Sequence, residues 1–204
     1  MKQVTGNNAS PAGKRLSIRL KAGGHSFSVD MLPKAALDSD AEAVFEVITH
    51  KSTLVPSEAF DPQLAEDYLA VVGLACSEDE CAVCAERNGT VAVMAISRNC
   101  RGQIAEALGE RASYTSPLLA EHAPEKRTLY LCAEEETLYL KFYDNGGLIM
   151  AEALPSKGTD DILYYAAAAG AEFGPAQYDI ILSGTRARAA YKILNKYFKN
   201  VKCE

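Results

Sequence analysis

Four cysteines stand closest to a known chemical pattern: Cys76, Cys81, Cys84 and Cys100. The first three follow the C-x4-C-x2-C spacing that holds an iron–sulfur cluster in plant-type ferredoxins. Their local context points away from a cluster. Cys81–Glu86 and Thr90–Ser97 flank Asn88-Gly89, a strong short hairpin signal. Positions three apart on a strand face opposite ways, so Cys81 and Cys84 diverge. Ser77-Glu78-Asp79-Glu80 would also set three carboxylates beside an anionic cluster. The thiols read instead as small apolar side chains. The chain has 6 cysteines and a polar start, Met1 to Gly13. Reduced thiols, no secretory signal and a cytoplasmic location are expected.

Other constellations carry less. Gly13-Lys14-Arg15 departs from the phosphate-loop pattern, because the upstream glycine is wrongly spaced and Arg15 replaces Ser or Thr. His25, His50 and His122 are scattered without ligand spacing, so no metal site is expected. No Gly-x-Ser-x-Gly elbow occurs. Ser52 near His50 and Asp61 reads as loop chemistry rather than a triad. Glu134-Glu135-Glu136 reads as a solvated turn. No catalytic residue is assigned.

The elements that would carry these residues follow from periodicity. Arg15–Lys21 alternates as a strand, Gly23-Gly24 turns the chain, and His25–Met31 alternates again. Ala43–Thr49 is a third strand. Asp61 can cap a helix over 62–72, with Pro62 in its first turn. After the Asn88-Gly89 hairpin, a shorter helix covers about 100–109. The later half gives strands at Arg127–Cys132, Thr137–Tyr143 and Leu148–Leu154, with Asn145-Gly146-Gly147 turning the last pair. Thr159 is expected to cap a helix that Gly170 ends. Tyr178–Ser183 is a strand, Arg186–Phe198 the last helix, and Val201 starts a short final strand. This order, βββαβαβ, is a meander followed by helical crossovers to parallel neighbours. Lys14-Arg15-Leu16-Ser17-Ile18-Arg19-Leu20 also echoes Lys126-Arg127-Thr128-Leu129-Tyr130-Leu131-Cys132, and each is followed by a turn and a second strand. Duplication is the simplest account.

Composition bounds the rest. The chain has 204 residues, 48% hydrophobic and 24% charged, with 14 Gly and 8 Pro. That excludes collagen-like and disordered chains, and no stretch reaches the ~20 apolar residues of a membrane span. The net charge of −6 disfavours nucleic acid as a partner. The charge is split, however. Residues 185–204 hold six basic residues and one acid, a balance of +5 that leaves −11 for the rest. Arg188, Lys192, Lys196 and Lys199 fall at steps of 4, 4 and 3, so on one helix they share a face. That face is a candidate docking strip for an acidic protein partner or another copy of the chain.

A βββαβα unit used twice is the plan of the ribonuclease-H-like, actin-like ATPase superfamily. The chain resembles an uncharacterised bacterial family with an actin-like ATPase fold, similar in shape to pilus-assembly and cell-division actin relatives. The residues carrying the resemblance are Leu16-Ser17-Ile18-Arg19-Leu20 with Ser26-Phe27-Ser28, and Thr53-Leu54-Val55-Pro56 followed by Phe60-Asp61. Ser116-Pro117-Leu118-Leu119, Asp161 with Tyr164-Tyr165, and Leu182-Ser183-Gly184 complete the set. It implies an α/β fold of two βββαβα-type subdomains with mixed sheets, the first modified by a small insertion. The expected division is a flexible polar tail (1–13) and subdomains over 14–123 and 124–204, hinged near Ala123–Lys126.

The resemblance also implies where a nucleotide would sit. In actin-like ATPases the first hairpin of each half clasps the phosphates, usually with an Asp-x-Gly whose carboxylate helps hold hydrated magnesium. Here Gly23 and Gly24 keep the turn, but Arg19 and Lys21 stand where the acid is missing. The second hairpin, Ala133-Glu134-Glu135-Glu136-Thr137, has no glycine and three carboxylates. The adenosine-side motif is reduced to Ser183-Gly184-Thr185. Gly23, Gly24, Ser183, Gly184 and Thr185 are therefore the candidate nucleotide-binding residues. The expectation is a catalytically degenerate assembly or scaffold component with no cofactor. The alternative is a slowly hydrolysing ATPase that binds Mg-ATP.

Overall fold

The computed structural model describes residues 15–21, 32, 34–37, 41–172 and 178–204. Gly23-Gly24 and the strand expected over His25–Met31 lie outside the described residues.

Three sheets organise the chain. β1 (Arg15–Lys21), β2 (Glu42–Ile48) and β6 (Ala112–Thr115) form a parallel sheet in the order β1-β2-β6. A short helix, α1 (Lys34–Leu37), lies between β1 and β2 in sequence. Between β2 and β6 the chain builds an antiparallel sheet from β3 (Ser52–Pro56), β4 (Glu80–Arg87) and β5 (Thr90–Ser97), in the order β3-β5-β4. The helices α2 (Ala65–Val71) and α3 (Arg98–Leu108) belong to the same stretch. The third sheet is mixed. β7 (Thr128–Ala133), β8 (Thr137–Asp144) and β9 (Gly147–Pro155) meander, and β10 (Asp179–Ser183) and β11 (Val201–Cys203) add in parallel, giving β11-β10-β7-β8-β9. α4 (Thr159–Glu172) and α5 (Ala187–Leu194) make the two crossovers. The βββαβαβ order expected for this half is the observed one.

The cores follow strand alternation. Phe45, Val47, Met94 and Ile96 pack with Ile104 of α3 in one cluster. Val55, Val91 and Val93 pack on Leu69 of α2 in a second. Cys81 joins the first of these and Cys84 borders the other, so the two thiols do diverge across β4. β5 is buried on both faces, which explains its near-continuous apolar sequence Val91–Ile96. Leu129, Leu131, Leu138, Leu140, Phe142, Ile162 and Leu194 form the core of the third sheet with α4 and α5.

β8 is buried from Thr137 to Tyr143. Its even positions enter the third-sheet core, so Tyr139 and Lys141 point the other way, towards the first half. Tyr139 packs with Ile48, Leu118 and Ala153. Its hydroxyl accepts the Thr49 N–H at 2.8 Å and faces the carbonyls of Val47 (3.2 Å) and Thr49 (3.1 Å), one of which takes its proton. Burial pushes the Tyr139 phenol well above its ordinary pKa, so the hydroxyl stays neutral. Two residues on, Lys141 is 4% exposed and donates to the carbonyls of Pro117 (3.4 Å) and Ala120. Burial brings its pKa down to about 8. Next to it, His122 stacks on Tyr130 with ring centroids 3.7 Å apart. Burial and the Lys141 charge lower the His122 pKa to about 4.

Several boundaries differ from those expected, each for a local reason. Ser52–Pro56 is a strand because β5 supplies its ladder. Ala112–Thr115 is a strand because β2 has an open edge there. Gly170 does not end its helix, which runs on to Glu172. Its role is closeness, since a Cβ there would collide with the Tyr178 hydroxyl. Thr159 is the first helical residue rather than the cap, and Asp161 instead accepts the N–H groups of Lys157 (2.8 Å) and Gly158 (2.9 Å). Those bonds hold its carboxyl below the usual carboxylate pKa. The last helix stops at Leu194, not Phe198. The N–H groups of Tyr197 and Phe198 both turn back to the Leu194 carbonyl, drawing Phe198 against the core before β11 begins.

Two expectations follow. Tyr139→Phe keeps the packing but leaves the Thr49 N–H without its partner, so stability falls by about 1–3 kcal/mol in urea titration. His122 takes up a proton less readily when folded than at its ordinary 6.5. The unfolded chain therefore binds more protons as pH falls from 6.5 towards 4, and stability drops across that window. His122→Phe keeps a stacking ring and removes the titration, so its melting temperature falls less than the wild type's over the same range.

Candidate functional site

The cleft between the first and third sheets is bounded by the ends of their strands. β1 delivers Arg19 and Lys21, β2 runs out into Thr49-His50-Lys51, and the β7–β8 turn delivers Glu134-Glu135-Glu136. Ser183-Gly184-Thr185 leaves β10 beside that turn. A cavity of about 320 Å³ lies here, lined on one side by Lys21, Thr49, His50 and Lys51 and on the other by Glu134–Glu136.

Glu135 and Glu136 are exposed as expected of a solvated turn, but Glu134 is not. Glu134 is 3% exposed. Its carboxylate meets Arg19 Nη1 at 3.2 Å and accepts from the Thr185 hydroxyl at 3.0 Å. The Cys132 thiol lies 3.7 Å from the same carboxylate. Burial opposes the charge on Arg19, but Glu134 and Glu46 outweigh it and hold the guanidinium above its ordinary pKa. Arg19 Nε also bonds Glu46 at 3.0 Å. Lys21 pairs with Glu135, and Lys51 with Glu80 at 2.5 Å. Salt links at this cleft are thus made within the protein, and those of Arg19 with Glu134 and Lys21 with Glu135 run from one half to the other.

Arg186 completes the turn. Its Nη1 reaches the carbonyls of Glu134 (3.2 Å), Glu135 (2.9 Å) and Ser156 (2.8 Å), while its backbone N–H bonds the Ala133 carbonyl at 2.8 Å. Gly184 lets the loop come this close. It adopts φ +89°, and a Cβ would stand 2.6 Å from the Ala133 carbonyl oxygen and 2.9 Å from Glu134 Oε1. Neither position admits a side chain without movement.

Of the candidate nucleotide residues, the structure brings Gly184 and Thr185 against Glu134 while Ser183 ends β10, and Gly23 and Gly24 lie outside the described residues. Glu134, Arg19 and Arg186 were missed as a unit. A signal was present: Arg19 and Lys21 are basic in one alternating strand where the other half has three carboxylates in a row. The basic strip is only partly as expected. Arg188 and Lys192 lie on α5, but Lys196 and Lys199 follow its end, so the four do not share one helical face; all four are exposed.

Two thiols are held in their protonated, unreactive form. Burial raises Cys100 and Cys132 to about 11. Among the described residues, no group of three or more His, Cys, Asp or Glu side chains is placed to hold a metal. No helix of the described residues is long and apolar enough to cross a membrane.

This arrangement of sheets and cleft is that of an actin-like ATPase fold. A Bacteroides thetaiotaomicron VPI-5482 protein with that fold and unknown function superposes with a TM-score of 0.71, at 17% identity over 93% of this chain and 90% of that one. The chain belongs to the family described as "Protein of unknown function (DUF3822)", whose model matches residues 44–201. More distant matches are the cytoplasmic domain of EpsL, an inner-membrane component of the Vibrio cholerae type II secretion system (TM-score 0.44, 13% identity, 93% and 85% covered), and a PilM–PilN type IV pilus biogenesis complex (0.48, 13%, 82% and 70%). No curated protein matches by sequence. The fold and family resemblance read from the sequence both hold.

The close approach at Gly184 is testable by substitution. Gly184→Ala should lower stability by roughly 2 kcal/mol or more, because a strained φ and a backbone clash combine. Gly102→Ala, in α3 with nothing within 4 Å of its Cβ position, should raise stability by about 0.5–1 kcal/mol. Urea midpoints of the two variants check the contrast.

Proposed function

We propose that the chain is a non-catalytic protein-interaction component of an assembly, in which the ligand cleft of the fold is closed by the protein's own ion pairs. One observation carries the reading. Glu134 is buried at the turn where a phosphate-clasping hairpin is expected, and it already holds Arg19 and Thr185. A polyphosphate entering the cleft would meet Glu134, Glu135 and Glu136 and would have to displace Arg19 and Lys21 from their carboxylates. The Glu134 carboxylate is the buried member of its pair, so displacing Arg19 would leave its charge short of a partner in a desolvated site. No acid stands among the described β1 residues to recruit magnesium. All six cysteines are free, which supports a reducing, cytoplasmic setting.

The test is thermal unfolding with and without MgATP. A ligand held by the native state at 100-fold over its Kd stabilises by about 2.7 kcal/mol. In a protein this size that corresponds to a rise of roughly 5–10 °C. The expected result is no rise at millimolar MgATP. A rise of several degrees would overturn the proposal in favour of a nucleotide-binding, slowly hydrolysing ATPase.

A further inference from the structure

Two turns of the molecule share one dipeptide and one backbone shape. Asn88-Gly89 joins β4 to β5, and Asn145-Gly146 joins β8 to β9. Asn88 and Asn145 adopt φ 48° and 49°, and Gly89 and Gly146 adopt φ 76° and 77°. A two-residue hairpin turn demands this left-handed pair. All four residues are exposed.

The dipeptide is also reactive. The main-chain nitrogen after an asparagine can attack the side-chain carbonyl carbon, closing a five-membered succinimide and expelling ammonia. Water then opens the ring at either carbonyl. One opening gives aspartate, and the other gives isoaspartate, with one more carbon in the main chain. Ammonia leaves, water enters and no oxidant or reductant is needed. A following glycine, without Cβ, leaves the attacking nitrogen unshielded. Ring closure requires the amide and the main chain to rotate out of the turn, so its rate follows local opening.

The two turns differ in what holds them shut. Asn88 Nδ2 donates to Oε1 of Glu121, whose Oε2 holds Arg87 at 3.2 Å. The Gly89 carbonyl accepts the Ser57 N–H at 2.9 Å. One of these bonds fixes the amide that must react, and the other fixes the residue that must attack. The first is charge-assisted, the stronger kind. The β4–β5 ladder behind this turn runs unbroken from Arg87 opposite Thr90 to Glu80 opposite Ser97. Among the described residues, the Asn145 side chain makes no hydrogen bond, and no segment outside the hairpin bonds the main chain of Asn145 or Gly146. The β8–β9 ladder is interrupted close to the turn, because Leu148 and Met150 face consecutive residues of β8 and Ile149 bulges out between them.

We infer that Asn145 is a site of spontaneous deamidation, and that Glu121 and Ser57 protect the same dipeptide at Asn88. The product changes a working part of the fold. It adds a carboxylate beside Asp144, which holds Arg127 at 3.2 Å. Isoaspartate also lengthens the turn, and turn length sets the register with which a hairpin begins. The first residues of β9, Gly147 to Ile149, are exposed and have only that ladder to hold them.

The experiment incubates the full chain in mildly alkaline buffer for days, digests samples at acid pH and maps both sites by mass spectrometry. Asn145→Asp supplies the reference peptide for the product. Asn145 should convert at least about tenfold faster than Asn88, the factor that one hydrogen bond to a charged group supplies. In urea the two sites should convert at similar rates, which separates anchoring from local sequence. Glu121→Ala should raise the Asn88 rate severalfold, while Asn145 in the same molecule keeps its own rate and so reports that the fold is intact. Equal rates at the two sites of the folded chain, a tenfold difference that persists in urea, or an Asn88 rate unmoved by Glu121→Ala would each overturn the inference.

Discussion

β8 is the constraint on which the structure turns. A strand buried on both faces must satisfy two different surroundings with one alternating sequence. Leu138, Leu140 and Phe142 meet the requirement on the helix side with apolar volume. The other side is harder, because it faces backbone groups of the first half that need partners. Tyr139 and Lys141 answer it with long side chains whose polar tips reach Thr49, Val47, Pro117 and Ala120. An unsatisfied N–H or carbonyl in such a seam costs about 1–3 kcal/mol, so these bonds fix the register of the two halves as well as their attachment. Once that register is set, the end of β2 and the β7–β8 turn must stand across the same cleft.

The cleft chemistry is a consequence of that placement. Arg19 and Lys21 are carried to one wall and three glutamates to the other, so the charges neutralise each other before any ligand arrives. Exposed pairs such as Lys21–Glu135 contribute little, of order 0–1 kcal/mol. Glu134 differs because it is buried, and a buried charge must keep its partners. Its hydrogen bond from Thr185 and the triple carbonyl contact of Arg186 tie the β10 exit loop to the same turn. Gly184 permits the approach that makes these bonds short enough. The cleft is therefore a structural joint between the first and third sheets.

How much of this was legible in the sequence depends on whether the signal was local. The third sheet was readable almost residue by residue, because β7 to β9 alternate and Asn145-Gly146 marks its turn with positive φ. The divergence of Cys81 and Cys84 followed from strand period alone. β3 and β6 were not readable, since four or five residues gain strand form only from the neighbours β5 and β2. The end of α5 was misjudged because Tyr197 and Phe198 continue a helical apolar pattern, while the chain must in fact turn there to lay β11 on β10. Glu134 was misjudged for a related reason. A run of glutamates reads as solvated unless a cation 115 residues away is known to face it.

Charge tells the same story at a larger scale. A net charge of −6 suggests a mildly acidic surface, yet the exposed acids of 57–80 and the exposed cations of 188–199 do not meet within the molecule. Where opposite charges do meet internally, at Arg19–Glu134 and Lys51–Glu80, they are partly or fully buried and lock one element to another. The exposed acids and cations lack that role and keep their hydration and their field. Folding a chain with internal partners available for some of its charges places the remaining electrostatic free energy at the surface.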